Sequence, residues 1–393
     1  MKILIVTPFL PYSRVYHAGG KFIYEIIKVL SQKHDIYLLS RIEPDQFVFI
    51  NEIKQLCKGI ELLFFKTPKS SSYISSIPII ISYLRLGLKA NRFIKKNVFD
   101  LVQVEYVETG LLIEKKKNIP MILDAHDVIT KPAYRRFLKS KGLKRCFNYL
   151  RWKLTMEVER FIARKFHRIF TKSKQDRNIL LQLDNTLEVS IVPHPILENH
   201  ILNQDIVRKS NVLLFAGAMH RDVNIEAVLY FYNKILPLVR QRIPEVKFYI
   251  VGHKPPNKVR EIARRDPRVI VTGFVDDLRP YYLKATVFVS PLLIGGGIIV
   301  KNLDAMAMGL PVVTTSFGNE GIGAIPDKHI LVADDPREFA EKVIFLLKEK
   351  HRREEIAKSG KEFVKNRFSL NSVIDRIERS YSELVINKNL FKE

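Results

Sequence analysis

The stretch Val287-Phe288-Val289-Ser290-Pro291-Leu292-Leu293-Ile294-Gly295-Gly296-Gly297-Ile298-Ile299-Val300-Lys301-Asn302-Leu303-Asp304-Ala305-Met306-Ala307-Met308-Gly309-Leu310-Pro311-Val312-Val313 reads as a strand, a glycine loop, a helix and a second strand. Short apolar runs of this length suit buried parallel strands. Consecutive glycines let backbone N–H groups approach an anion closely. The helix that opens at Val300 adds its unsatisfied donors and partial positive charge. Lys301 falls in the first turn and supplies a point charge. Asp304, about one turn on, is placed to accept hydrogen bonds from ribose hydroxyls. Such a loop is a candidate diphosphate-plus-ribose site. Taken alone it is equally well a turn before a core helix.

The same rhythm extends in both directions. In the first half, Ile3–Thr7, Ile36–Leu39, Ile60–Phe65, Leu101–Val104, Met121–Leu123, Ile169–Thr171 and Val189–Val192 read as strands. Phe22, Ile23, Ile26, Ile27 and Leu30 recur at helical spacing. The rhythm breaks at His194-Pro195 and the polar stretch Glu198–Ser210, then restarts. Val212–Phe215, Val246–Val251, Val269–Val271, Val287–Val289, Val312–Thr314 and Ile330–Val332 read as strands; Asn224–Arg242, Pro256–Arg265, Val300–Met308 and Pro336–Lys350 read as helices. The alternation predicts an α/β protein of two Rossmann-like, doubly wound domains facing a central cleft. The expected divisions are 1–198, 206–366 and a C-terminal helix, 367–393, that crosses back to the first domain.

The chain has 393 residues, which suits two or three domains at roughly 150 residues each. It is 47% hydrophobic and 27% charged, so it can build sizeable cores and is not globally disordered. Lys plus Arg is 65 and Asp plus Glu 41, giving a net charge of 65 − 41 = +24. That excess predicts an anionic partner. It divides unevenly: residues 1–200 carry 34 − 18 = +16 and residues 201–393 carry 31 − 23 = +8. Two cysteines, Cys57 and Cys146, exclude a disulfide scaffold and a Cys-rich zinc site and read as free thiols of a cytoplasmic protein. No stretch supplies the ~18 apolar residues of a membrane span, and the apolar start Met1–Val6 reads as a first strand.

Upstream of the glycine loop, Val271-Thr272-Gly273-Phe274-Val275-Asp276-Asp277-Leu278 leads into Tyr281-Tyr282-Leu283-Lys284-Ala285-Thr286-Val287-Phe288-Val289-Ser290-Pro291. With the loop and helix that follow, this closely resembles the family 4 glycosyltransferases of GT-B fold, in the subgroup with a triple-glycine donor loop. Phe215-Ala216-Gly217-Ala218-Met219, Val251-Gly252 and Leu331-Val332-Ala333-Asp334-Asp335-Pro336 extend the resemblance. Weaker matches in the first half are Met1–Thr7 with Gly19-Gly20, Leu123-Asp124-Ala125-His126-Asp127 and Ser190-Ile191-Val192-Pro193.

The resemblance implies roles for the matched positions. Gly20 would face the donor phosphates from a first glycine loop. His126 would lie near the reacting sugar carbon. Gly217 and Ala218 would open the donor site, with His253 as a further contact. Phe274 and Val275 would meet the base through backbone groups. Gly296, Gly297 and Ile298 would hold the diphosphate by backbone N–H, with Lys301 as the charged partner, and Asp304 would bind ribose. The catalytic pair would be His126 and Lys301. Three departures from the family pattern stand out. Gly296 and Asp304 stand where two glutamates often occur, Ile299 where the subgroup often has Arg, and Pro193-His194-Pro195 where Pro-Asn-Gly is common.

The implied activity is retaining transfer of a sugar from a UDP- or GDP-type donor to a glycan or lipid-linked acceptor in polysaccharide or envelope glycan synthesis. No cofactor and no metal are expected, and Asp276-Asp277 reads as a helix cap. Glu105 and Glu108 follow a strand and could face the acceptor, but read rather as a solvated loop, and His194 reads as structural. From Lys131 to Lys153 there are nine basic residues and no acid, interleaved with Tyr134, Phe137, Phe147, Tyr149 and Trp152. This reads equally as an anionic membrane surface, making the protein peripheral on the inner face of the membrane, or as a solvated face over core aromatics. Other readings are a degenerate GT-B protein, a sugar-nucleotide epimerase and, from charge alone, a nucleic-acid-binding protein; no specific nucleic acid partner is expected.

Overall fold

The computed structural model describes residues 1–15, 18–66, 76–196, 211–293 and 298–390. The chain divides into two compact units, Met1–His194 with Val373–Glu393, and Pro195–Ser372.

Unit 1 is built on β1 (Lys2–Thr7), β2 (Asp35–Ile42), β3 (Gly59–Phe64), β4 (Leu101–Glu105), β5 (Met121–Ala125), β6 (Arg168–Thr171) and β7 (Val189–Ile191). They form one sheet in the order β3-β2-β1-β4-β5-β6-β7, every pair parallel. The helices are α1 (Ala18–Leu30), α2 (Ile50–Lys54), α3 (Ser76–Lys96), α4 (Thr130–Lys139), α5 (Leu143–Ala163) and α6 (Lys174–Leu183). A parallel sheet covered on both faces must be apolar on both, and β1, β4 and β5 bury successive residues rather than alternating ones. Phe22, Ile23, Ile26, Ile27 and Leu30 form the buried stripe of α1.

Unit 2 contains β8 (Val212–Ala216), β9 (Lys247–Val251), β10 (Val269–Gly273), β11 (Val287–Ser290), β12 (Val312–Thr314) and β13 (Leu331–Val332), in the order β10-β9-β8-β11-β12-β13 and again all parallel. Its helices are α7 (Asp222–Tyr230), α8 (Leu236–Arg242), α9 (Asn257–Arg265), α10 (Arg279–Lys284), α11 (Val300–Ala307), α12 (Ser316–Glu320), α13 (Pro336–Lys348) and α14 (Lys350–Phe368). The single helix expected over Asn224–Arg242 is instead α7, a π turn at Phe231–Ile235 and α8. Pro237 explains the turn, since it lacks an N–H and its ring crowds the carbonyl one turn back. Two buried clusters cover the sheet: Phe231, Val239 and Phe339 belong to one, Leu303, Met306 and Phe368 to the other.

The last helix, α15 (Leu370–Leu390), belongs to unit 1 from Val373 onward. Val373, Ile374, Ile377 and Tyr381 are its buried face. Glu378 meets Lys33 (2.8 Å) and His34 (3.1 Å), and Glu383 pairs with Arg168 (2.5 Å). Each sheet thus has the doubly wound form, with strand order reversing between β1 and β4 in unit 1 and between β8 and β11 in unit 2. In open α/β sheets the carboxyl ends of the strands at such a reversal are where ligands bind.

Candidate functional site

The reversal in unit 2 gathers several of the expected donor residues. Asn302 is fully buried and donates to Thr314 Oγ1 (3.2 Å) and the Gly318 carbonyl (3.1 Å). That anchors the first turn of α11 to the end of β12. Lys301, one residue earlier, reaches the end of β8. Its ammonium donates to Asn224 Oδ1 (2.6 Å) and lies over the Phe215 ring, 4.2 Å from the centroid. Asn224 in turn donates to the Ala218 carbonyl (2.8 Å). Gly217 is a close approach: a Cβ there would lie 2.7 Å from Lys301 Nζ and 3.0 Å from Asn224 Nδ2.

Burial, reinforced by the charge of Arg221, lowers the Lys301 pKa to about 7. A lysine sheltered from water ordinarily has a carboxylate partner. Here the bonded oxygen is a neutral amide, so the site is short of one anion.

Asp304, on the same helix, is half-buried. Ile298 and Ile299 pack against the core just before α11. Gly296 and Gly297 lie outside the described residues, as does the rest of the triple glycine. His253 is exposed after β9, and its ring meets that of Phe274 edge-on at 5.6 Å. Phe274, after β10, is 67% exposed, while Val275 beside it packs against the core. Asp277 Oδ1 accepts from the Arg279 N–H (2.9 Å), capping the start of α10.

The reversal in unit 1 holds His126, buried directly after β5. Its Nε2 is 2.7 Å from Glu105 Oε2. Glu105 Oε1 accepts from Gln103 Nε2 (2.6 Å), and Gln103 Oε1 accepts from the Tyr381 hydroxyl of α15 (2.5 Å). The chain Tyr381–Gln103–Glu105–His126 is buried throughout. The expectation of a solvated Glu105 is therefore overturned: Glu105 is the last residue of β4 and 2% exposed. Burial pushes its pKa up to about 7, against the pull of the Lys172 charge and the Gln103 hydrogen bond.

Tyr106 stacks flat on His126, with centroids 4.1 Å apart and planes 4° from parallel. It holds φ 68° and ψ 140°, a region that side chains other than glycine avoid. Strain of this kind persists only where surrounding contacts over-determine it, and it gathers at functional sites. Gly19 and Gly20 lie in the first turn of α1. A Cβ on Gly19 would stand 2.0 Å from the Tyr106 hydroxyl and 3.8 Å from His126 Nδ1. His194 stacks on Phe22 (4.3 Å) and tilts against His126 (5.1 Å). Burial, then the charges of Lys172 and His126, hold its pKa well below the ordinary value.

One group among the described residues has metal-ligand chemistry: ligand atoms of Glu105, Asp124 and His126 all lie within 4.8 Å of one another. Its acids already have partners. Lys172 Nζ is 2.5 Å from Asp124 Oδ1, both side chains buried, and Glu105 engages His126 and Gln103. Lys172 supplies the cation that the pair of carboxylates needs.

Sequence reasoning missed Glu105, Gln103, Tyr106, Lys172 and Asn224. The signal for the first two was present: Gln and Glu at alternate positions of an otherwise apolar strand face the same way. Tyr106, Lys172 and Asn224 lie just beyond strands or in a helix, where nothing local marks them.

Residues 210–349, from just before β8 through α13, match the family described as glycosyl transferases group 1. Unit 2 therefore carries a glycosyltransferase domain. Across almost its whole length the chain is similar to an uncharacterized 44.6 kDa protein in the cps region of Klebsiella pneumoniae, with 24% identity over 96% of this chain and 98% of that protein. Among solved structures it is similar to sucrose-phosphate synthase from Thermosynechococcus elongatus (TM-score 0.72, 15% identity, 98% of this chain and 100% of the other). It is also similar to Anabaena HepE in complex with UDP (TM-score 0.68, 12% identity, 98% and 100%). These likenesses bear out the expected GT-B fold class, with two parallel-sheet Rossmann-like domains. No helix among the described residues is long and apolar enough to cross a membrane.

Proposed function

We propose that the protein is a retaining glycosyltransferase of the family 4 triple-glycine subgroup. It moves a sugar from a UDP- or GDP-type donor to a glycan or lipid-linked acceptor in the synthesis of a polysaccharide or envelope glycan. The observation that carries the reading is the Lys301 ammonium, held at the strand-order reversal of the transferase domain against a neutral amide. An incoming diphosphate supplies the missing anion. The Klebsiella relative, described as lying in a cps region, and the UDP complex of the Anabaena protein both support it.

In this reading the diphosphate lies against Lys301, the N-terminus of α11 and the amides of the glycine loop. Gly217 leaves room for the Lys301 ammonium, because a Cβ there would lie 2.7 Å from Nζ. Asp304 binds the ribose, and the backbone at Phe274 and Val275 meets the base. As the bond from the sugar carbon to the diphosphate breaks, charge grows on the leaving oxygens, where these groups stabilise it. The acceptor oxygen bonds to the same face of that carbon, and its proton passes to the departing phosphate. His126 lies near the reacting sugar carbon. Its Nε2–H is held by Glu105, which makes Nδ1 the ring's acceptor atom. No metal is required. The protein works from the inner face of the membrane, which the basic stretch 131–153 approaches.

The test is incubation with UDP- and GDP-sugars, with and without a lipid-linked or oligosaccharide acceptor, followed by NMR of the product. Acceptor-dependent nucleotide release with retained anomeric configuration is expected. Inverted configuration would overturn the retaining mechanism. A new sugar nucleotide made without acceptor would establish an epimerase instead.

A further inference from the structure

Helix α5 carries two apolar faces, and only one serves the fold. On the inner side Met156 and Val158 pack on the core and Ile162 and Ala163 are buried in it. Tyr149 and Trp152 form an aromatic cluster with Tyr134 and Phe137 of α4. Four of the five aromatics of the basic stretch thus pack on one another in a helical hairpin, with Tyr134 and Tyr149 on its exposed side. The outer side is different. Leu143 (91% exposed), Phe147 (65%), Leu150 (66%), Leu154 (67%) and Phe161 (59%) stand in water. At about 100° per residue these five fall within about 60° of arc, a single stripe along the helix.

We infer that this stripe is a bilayer-docking surface, with the leucines and phenylalanines entering the acyl boundary of a membrane that contains anionic phospholipid. The charge pattern selects the occupant. Lys144 and Arg151 border one side of the stripe and Lys153 the other. Arg136, Lys139, Lys141 and Arg145 are also exposed nearby. The nearest acid on α5, Glu157, is bonded to Arg160 (2.8 Å). Two copies meeting through this face would set like charges against each other, whereas an anionic headgroup layer complements them. An apolar ridge of this kind belongs in the interface plane, and the cations belong at headgroup level. The inference deepens the membrane part of the proposed function by naming the residues that insert. Vesicle binding does not depend on sugar transfer, so the two readings succeed or fail separately.

Cys146 provides the probe. It is exposed on α5 beside the stripe, while burial pushes the Cys57 thiol up to about 12, which directs a thiol reagent to Cys146. The protein labelled at Cys146 with an environment-sensitive dye is mixed with vesicles of phosphatidylcholine alone, or of phosphatidylcholine with phosphatidylglycerol, and the vesicles are then floated. The expected result is a blue shift and co-flotation with the phosphatidylglycerol vesicles only, both weakened by salt. Phe147→Ser, Leu150→Ser and Leu154→Ser together should weaken partitioning at least about tenfold, with melting unchanged because all three are exposed. Undiminished vesicle binding by the triple variant would overturn the inference. So would failure of the wild-type chain to bind either vesicle. Concentration-dependent self-association that the triple variant abolishes, without vesicle binding, would also overturn it and assign the stripe to contact between copies.

Discussion

Glu105 Oε2 stands 2.7 Å from His126 Nε2, with both side chains shut away from water. A carboxylate there accepts Nε2–H and so leaves Nδ1 as the imidazole's acceptor atom. Glu105→Gln keeps the shape and removes the acceptor charge. Turnover is expected to fall on the order of 10²-fold, the usual contribution of a correctly placed acid–base group. Circular dichroism should be unchanged. Wild-type kcat should rise with pH through about 7 as Glu105 ionises, and the variant should lack that limb. The kcat–pH profiles of the two proteins check it.

Tyr106 and Gly19 are a matched pair. Gly19→Ala drives a Cβ to 2.0 Å from a hydroxyl that cannot retreat, because the ring is stacked on His126. The expected cost is about 1–3 kcal/mol in urea unfolding, typical of overpacking. Tyr106→Phe removes the hydroxyl, so the double variant should recover most of that loss. A double-mutant cycle measures the coupling.

Lys301 couples donor binding to protons. Its pKa is lowered to about 7 in the unliganded protein, and a diphosphate beside it restores the charged form. Below pH 7 the lysine is already charged, so affinity is at its plateau. Above pH 7 binding must take up a proton, so the nucleotide affinity should fall about tenfold per pH unit. Titration calorimetry in buffers of different ionisation enthalpy should show close to half a proton taken up at pH 7.

Tyr381 tests the attachment of the last helix. Its hydroxyl donates to Gln103 Oε1 at 2.5 Å in a fully buried position. Tyr381→Phe leaves that oxygen unsatisfied, at a cost of about 1–3 kcal/mol. The loss should appear in unit 1 as faster amide exchange of α15 and of β4. Exchange confined to the last turn of α15 would contradict the chain of hydrogen bonds.

The parallel sheets were legible because both of their faces are buried. Each strand then appears as a short apolar run, and the thirteen strands among the described residues all coincide with such runs. Lys301 stood out because a first-turn lysine after a glycine loop marks a candidate anion site locally, and Gly217 because its surroundings resemble the family's donor domain. Glu105 was marked by its place in the strand, facing the same way as Gln103, whereas its pairing with His126, 21 residues away, is made only by folding. The α5 stripe escaped notice for a related reason. In a stretch where more than half of the residues are basic or aromatic, only the fold separates the aromatics that pack on one another from the leucines that face water.

The most direct test is thermal melting of the wild-type chain and of Lys301→Ala with UDP, GDP, ADP and CMP, since a ligand of the folded state raises the midpoint by mass action. The account predicts a selective rise with one nucleoside diphosphate in the wild-type protein, and no rise in a Lys301→Ala variant whose own midpoint is close to normal. Equal shifts in the two proteins, or no shift with any nucleotide, would contradict the assignment of Lys301 as the diphosphate's partner.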